Sequence, residues 1–231
     1  MKPHVICHMI ASVDGRTLLS RWQPDDVRQR GLFEQLHEVL AGDAWLVGRV
    51  TGGEYAKLSA YPDDVDHRYP MEHWFARRNA PAYGVVLDAQ GKIAWGRSDI
   101  GGDPIIAVLS RRVSVAHLAG LRDDEVSYIF AGDHELDLGL TLEILNQELG
   151  IKRLVLEGGG LTNGAFLRAG LLDELSLAIF PAVDGTKGAP CVFDSRENEI
   201  GAPAQLCSMT LESSEMLEGG VVWLRYKLQS K

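Results

Sequence analysis

A short apolar run that ends on an acid, passes through three glycines and then turns helical leaves a chain few folds to choose from. Residues 153–167 read Arg-Leu-Val-Leu-Glu-Gly-Gly-Gly-Leu-Thr-Asn-Gly-Ala-Phe-Leu. Leu154-Val155-Leu156 has the composition of a strand buried on both faces. Residues 162–169 have helix-forming composition, with Phe166 and Leu167 on an apolar side. Strand, glycine turn and helix in that order belong to an α/β sheet, with Glu157 at the carboxyl end of the strand, where such sheets place their ligands. The first N–H groups of the helix lack internal partners and favour an anion. The glycines either let a phosphate lie against bare backbone or simply allow the turn.

The spacing of Gly158, Gly160 and Gly164 is G-x-G-x-x-x-G, one residue longer than the ordinary dinucleotide fingerprint, and the stretch lies late in the chain. This excludes the ordinary Rossmann motif.

Other strands close in the same way. Residues 5–11 form a first apolar run and end in Ser12-Val13-Asp14-Gly15-Arg16. His4 and His8 share one face of it, as a metal pair or as edge and core histidines; without a third ligand no metal site is expected. Residues 43–51 form a second strand that ends in Gly48-Arg49-Val50-Thr51, with a helix opening at Gly52-Gly53-Glu54-Tyr55. Further strands are expected over 83–87, 105–109 and 126–131. The strand over 105–109 leads into Ser110-Arg111-Arg112, whose guanidinium groups either hold a phosphate or make a basic surface turn. After Pro24, Asp25 or Asp26 starts a helix in which Leu32, Phe33, Leu36, Val39 and Leu40 form the packing face. Other helices are expected over 115–121 and over 138–149, the latter with Leu138, Leu142 and Leu145 on one face. Residues 59–81 read as a long charged loop with a short helix near Trp74. Gln205–Glu212 and Val221–Leu228, around Gly219-Gly220, read as an antiparallel hairpin. The alternation predicts one α/β domain over 1–231: a three-layer, mostly parallel central sheet flanked by helices, with an antiparallel C-terminal hairpin.

Composition narrows the function classes. The 231 residues are 45% hydrophobic, which supplies a substantial core, and the net charge of −9 argues against non-specific nucleic-acid binding. No apolar run reaches membrane-spanning length, and Met1-Lys2-Pro3-His4 has no signal-peptide pattern. Three cysteines with no C-x-x-C pair fit a reducing cytoplasm.

The three polar strand ends, together with Ala11-Ser12-Val13-Asp14-Gly15-Arg16, resemble the dihydrofolate-reductase-like fold. Within it, the run from Leu154 to Pro181 is similar to the signature of the riboflavin-biosynthesis pyrimidine reductases, the reductase domain of the bifunctional bacterial enzyme. The resemblance covers nearly the whole chain and is weakest over 59–100. It implies an NADPH-dependent reductase that transfers hydride to a C=N or C=O carbon of a small heterocyclic substrate, in the manner of 5-amino-6-(5-phosphoribosylamino)uracil reductase. It implies that Arg49, Val50 and Thr51 meet cofactor phosphates and that Ser110 and Arg111 hold the adenosine 2′-phosphate. Gly158, Gly159, Gly160, Leu161 and Thr162 would form the pyrophosphate turn, with Ala11 near the nicotinamide. Ser12, Asp14 and Glu157 would face the substrate, and relatives commonly form homodimers. The H-x-E and P-C-x-x-C patterns of the deaminase half are absent, and Tyr55 stands where the reductases carry aspartate.

A reduction of this kind needs a proton as well as a hydride. Asp14, on the loop after the first strand, is the first candidate donor; Asp26 is the second, at the start of the first helix, where dihydrofolate reductases carry their acid. Asp26 also has the character of a helix N-cap. Glu157 is expected to accept hydrogen bonds from substrate. A pterin or dihydrofolate substrate, and a nucleotide-binding protein without turnover, are the alternatives.

Overall fold

The computed structural model describes residues 1–25, 31–63, 68–196, 203–204 and 206–230. The chain forms two compact units, one of residues 1–3 and 43–154, the other of residues 4–42 and 155–231.

The first unit is built on strands β2 (Ala44–Gly48), β3 (Tyr83–Leu87), β4 (Asp99–Ile100), β5 (Asp103–Leu109) and β6 (Ser127–Phe130), in the order β4-β5-β3-β2 with β6 also on β5. β2 and β3 run parallel with Ala44 opposite Tyr83, β3 and β5 with Gly84 opposite Ile105, and β5 and β6 with Ile106 opposite Ser127. Every residue of β2 and β6 is buried. That is why these strands read as unbroken apolar runs and not as alternating ones. Helix α3 (Val115–Asp123) is capped by Ser114, whose hydroxyl accepts from His117 N–H. Helix α4 (Leu138–Leu149) is capped by Asp137, whose carboxylate accepts from Leu140 N–H at 2.9 Å. Leu142 and Leu145 are buried on α4 as expected, joined by Thr141 and Ile144, while Leu138 is half-buried.

Two local expectations fail in this unit. The second strand stops at Gly48, and residues 49–53 form a one-turn helix, α2 (Arg49–Gly53), which closes where a helix was expected to open. No helix forms near Trp74. Trp74 instead exchanges backbone hydrogen bonds with Tyr128 of β6, at 2.9 and 2.8 Å. The Arg122 guanidinium sits 4.2 Å from the Trp74 ring centroid and 4.5 Å from that of Tyr69, and its Nε donates to the Tyr128 hydroxyl at 3.0 Å. One arginine thus ties this part of the loop to the sheet.

Strand β7 (Arg153–Leu156) passes from the first unit into the second. The second unit has the order β7-β1-β8-β10-β9, with β1 (His4–Ser12), β8 (Glu174–Phe180), β9 (Leu206–Met216) and β10 (Val222–Ser230). β1 and β8 are parallel, with Ser12 opposite Phe180. β8 and β10, and β10 and β9, are antiparallel, which makes the C-terminal hairpin. Helix α1 (Leu32–Leu40) buries Leu32, Leu36 and Leu40. Val39, expected on the packing face, is exposed; Leu32, Leu36 and Leu40 make the buried stripe, and Val39 stands at its margin. α1 starts at Leu32, and Asp26 lies outside the described residues. Helix α5 (Gly160–Arg168) starts two residues earlier than its composition suggested, so the glycine turn itself is only Gly158-Gly159.

Beneath α1 runs a buried polar chain. Trp223 Nε1 donates to Ser176 Oγ at 2.8 Å, which leaves the Ser176 hydroxyl hydrogen for His8 Nδ1 at 3.0 Å. His8 then donates from Nε2 to the Phe33 carbonyl at 3.3 Å, and its ring stacks on that of Phe33 at 4.6 Å. Burial holds the His8 imidazole down to about 4, so it is neutral and its tautomer is set by these partners. His4 instead pairs with Glu174, at 2.7 Å from Nε2 to Oε1. The two histidines are edge and core residues rather than a metal pair.

Candidate active site

In the first unit, the end of β2 and the turn after β3 enclose a cavity of about 340 Å³, lined in part by Arg49, Val50, Gly53, Ser59 and Lys92. Arg49 and Lys92 both act electrostatically on Asp88. That carboxyl is itself buried, and its Oδ2 accepts from the N–H groups of Lys92 and Ile93 at 2.7 and 2.9 Å. Burial raises the Asp88 carboxyl above its ordinary value, and the two cations oppose that shift. Arg49 and Val50 line this open cavity, with Thr51 half-buried beside them. Lys92 was missed by sequence reasoning. It lies in a turn of ordinary composition, 43 residues from Arg49, and no local pattern marks it.

Ser110 and Arg111, expected at the adenosine 2′-phosphate, are not among the residues that line this cavity. Ser110 is fully buried, and its hydroxyl donates to the Ala89 carbonyl at 2.6 Å, so it holds the turn after β3. Arg111 Nη1 donates to the Met71 carbonyl at 3.2 Å, and its Nε lies 3.7 Å from Asp133 Oδ1. Both residues are engaged by the protein's own chain.

In the second unit, β1 ends in Ala11 and Ser12, both buried. The Ser12 hydroxyl donates to Asp14 Oδ1 at 2.5 Å. The other carboxylate oxygen accepts from Gly185 N–H at 2.8 Å, and Oδ1 also receives Asp184 N–H at 3.2 Å. The Ser12 hydroxyl, followed by the Gly185 N–H, pulls the Asp14 carboxyl down to about 2. Such a group is ionised under all ordinary conditions and is a poor proton donor. Asp14 ties the loop after β1 to the loop after β8.

Glu157 follows β7 directly. Its Oε1 lies 2.5 Å from Nδ1 of His37, which projects from the last turn of α1. The two side chains are 11% and 28% exposed, so the pair is sheltered but reachable. His37 was not foreseen. The one available signal was that the first helix carries the ionisable group in dihydrofolate reductases, and His37 is an ionisable residue of that helix.

The turn after Glu157 has two kinds of glycine. Gly159 is exposed, has φ 67° and ψ 135°, and precedes α5 with no side-chain cap. Its geometry leaves the first N–H groups of α5 at Gly160, Leu161 and Thr162 for a ligand, and Leu161 is exposed beside them. Gly160 is required for a different reason: a β-carbon there would lie 2.4 Å from the Cys191 carbonyl oxygen. Asp194 N–H donates to the Gly160 carbonyl at 2.9 Å, and Asn163 Nδ2 donates to the Val192 carbonyl at 2.9 Å. The protein's own segment 191–194 occupies the space that the absent side chain leaves.

Comparison with known proteins gives the family and the fold. The family described as the RibD C-terminal domain matches residues 3–223. The 2,5-diamino-6-ribosylamino-4(3H)-pyrimidinone 5′-phosphate reductase of Methanothermobacter thermautotrophicus is 27% identical over 204 residues, covering 84% of this chain and 85% of that protein. A pyrimidine reductase-like protein from Corynebacterium diphtheriae shares the fold with a TM-score of 0.70 at 18% identity, over 99% of this chain and 93% of its own. The riboflavin biosynthesis reductase of Saccharomyces cerevisiae does so with a TM-score of 0.63 at 17% identity, over 98% and 90%.

Proposed function

The chain belongs to the RibD C-terminal domain family, and from that premise we propose that it is an NADPH-dependent reductase of a ribosylaminopyrimidine phosphate in riboflavin biosynthesis. The observation that carries this reading is the placement of Glu157 directly before the uncapped start of α5. One turn offers a sheltered carboxylate for the N–H donors of an aminopyrimidine, beside backbone N–H groups that suit a cofactor phosphate. The carboxylate suits the pyrimidine of the substrate named for the archaeal relative, 2,5-diamino-6-ribosylamino-4(3H)-pyrimidinone 5′-phosphate.

The residues present also fit a nicotinamide cofactor with an extra phosphate. Arg49 and Lys92 would hold a phosphate of the cofactor in the cavity they line. The N–H groups at the start of α5 would hold the pyrophosphate. When bound, the cofactor supplies the hydride. Glu157 orients the pyrimidine through its N–H groups, and Ser12 and Asp14 keep the β1 loop closed beside β8. With Asp14 held ionised and Glu157 accepting from the pyrimidine, the proton comes from water ordered beside Glu157. The reading treats residues 1–231 as one reductase domain, supported by a single family match that spans both units. Among the described residues no helix is long and apolar enough to cross a membrane, and Cys7, Cys191 and Cys207 are unpaired; both fit a cytoplasmic protein.

The test is consumption of reduced cofactor by the purified protein with the diaminopyrimidinone and with the aminouracil phosphate as separate substrates. Oxidation with either supports the reading, and the faster one identifies the substrate. Tight cofactor binding with no oxidation by either, or by dihydrofolate, would replace it with a nucleotide-binding protein.

A further inference from the structure

The His37–Glu157 contact joins residues from a helix and from the turn after a strand, far apart in sequence. Glu157 is sheltered, and its contact with the imidazole helps to fix the direction of its carboxylate. Since a carboxylate only accepts, Nδ1 of His37 must carry the hydrogen.

His37 is itself held from below. Phe33 lies one helical turn before it on α1, on the same side of the helix. That residue is fixed through its ring and its carbonyl by His8 of β1, and His8 in turn by Ser176 of β8 and Trp223 of β10. The rotation of α1 about its own axis, and with it the direction of His37, is thereby set by three strands. A precise helix orientation that ends on one side chain, which ends on one carboxylate, is what a preorganised site requires.

We propose that His37 is a positioning residue of this reductase, fixing Glu157 in the orientation in which it receives the pyrimidine. The inference rests on the reductase reading given above. It does not require His37 to touch substrate.

Three variants test it: His37→Leu, which removes the donor; His37→Asn, which keeps an N–H close to the Nδ1 position; and His37→Gln, which moves the donor outward. Steady-state kinetics with the preferred pyrimidine should show turnover about a hundredfold lower in His37→Leu, the size of effect that misplacement of a reacting group causes. KM for the reduced cofactor should be unchanged. His37→Asn should recover most of the loss and His37→Gln should not. If His37→Leu does not accumulate as folded protein, the Asn and Gln pair carries the test. Wild-type kinetics in His37→Leu, or equal defects in Asn and Gln, overturn the inference while leaving the reductase reading intact. An inactive wild type overturns the reductase reading, and the inference with it.

Discussion

The carbonyl oxygen of Cys191 lies 2.4 Å from the point where a β-carbon on residue 160 would stand, so only glycine fits there. Gly159, its neighbour, is constrained by its backbone angles and faces outward. Two adjacent glycines therefore answer to different physics, and substitution should separate them.

Gly160→Ala should lose about 1–3 kcal/mol of stability through overpacking against segment 191–194. Cofactor affinity of its folded fraction should stay close to that of the wild type. Gly159→Ala should cost about 1 kcal/mol, from a left-handed backbone that a β-carbon disfavours. It should also weaken cofactor binding. Denaturant melts and calorimetry on both variants check this, and a Gly159→Ala protein that binds cofactor normally would make the whole turn scaffold.

Cofactor preference should follow Arg49 and Lys92 and not Arg111. The wild type should bind NADPH more tightly than NADH. Arg49→Ala should lose about tenfold or more in NADPH affinity, the scale of a charge-assisted hydrogen bond. Arg111→Ala should change it little, because that guanidinium is already engaged with Met71 and Asp133. Equal affinity of the wild type for the two cofactors refutes the assignment.

Stability should fall on mild acidification. His8 and His117 are both held down to about 4 by burial. Between the ordinary histidine value and about 4, the unfolded chain binds protons that the folded chain does not. Stability is therefore full above about pH 6.5 and declines as pH falls through that window. Each histidine contributes on the order of 3 kcal/mol if fully desolvated. Asp88, raised by burial, acts in the opposite sense above its unfolded value and offsets part of this. Denaturant melts at pH 7.5 and 4.5 measure the balance, and the His8 ring should remain neutral at pH 5 by NMR. An imidazolium at His8 at that pH contradicts the buried chain.

The protein should be a homodimer. β9 stands at the end of the second unit's strand order and is exposed along most of its eleven residues, with Met209 and Leu211 on one face and Met216 83% exposed. A long exposed edge that carries Met209, Leu211 and Met216 is a ready surface for a second chain. Trp223, by contrast, is buried within its own unit. Light scattering should give twice the 25.3 kDa of one chain, and Leu211→Lys should shift the mass toward one chain. A monomeric wild type at micromolar concentration refutes this.

The sequence by itself determined the elements whose signal is local. β1, β3, β5 and β6 are largely apolar runs, α4 has its helical period, and the hairpin has Gly219-Gly220 at its tip, each visible within a dozen residues. The acid and glycines after β7 were legible for the same reason. Only the tertiary structure decided what those parts do. It paired Glu157 with His37 across 120 residues, and brought Lys92 to the cavity of Arg49. It turned Ser110 inward onto Ala89, and filled the space at Gly160 with the Cys191 carbonyl. It also spent the charge of Asp14 on the loop after β8. A side chain's partner is set by which segments the sheet brings side by side, and a contact between distant segments leaves no periodicity in either of them.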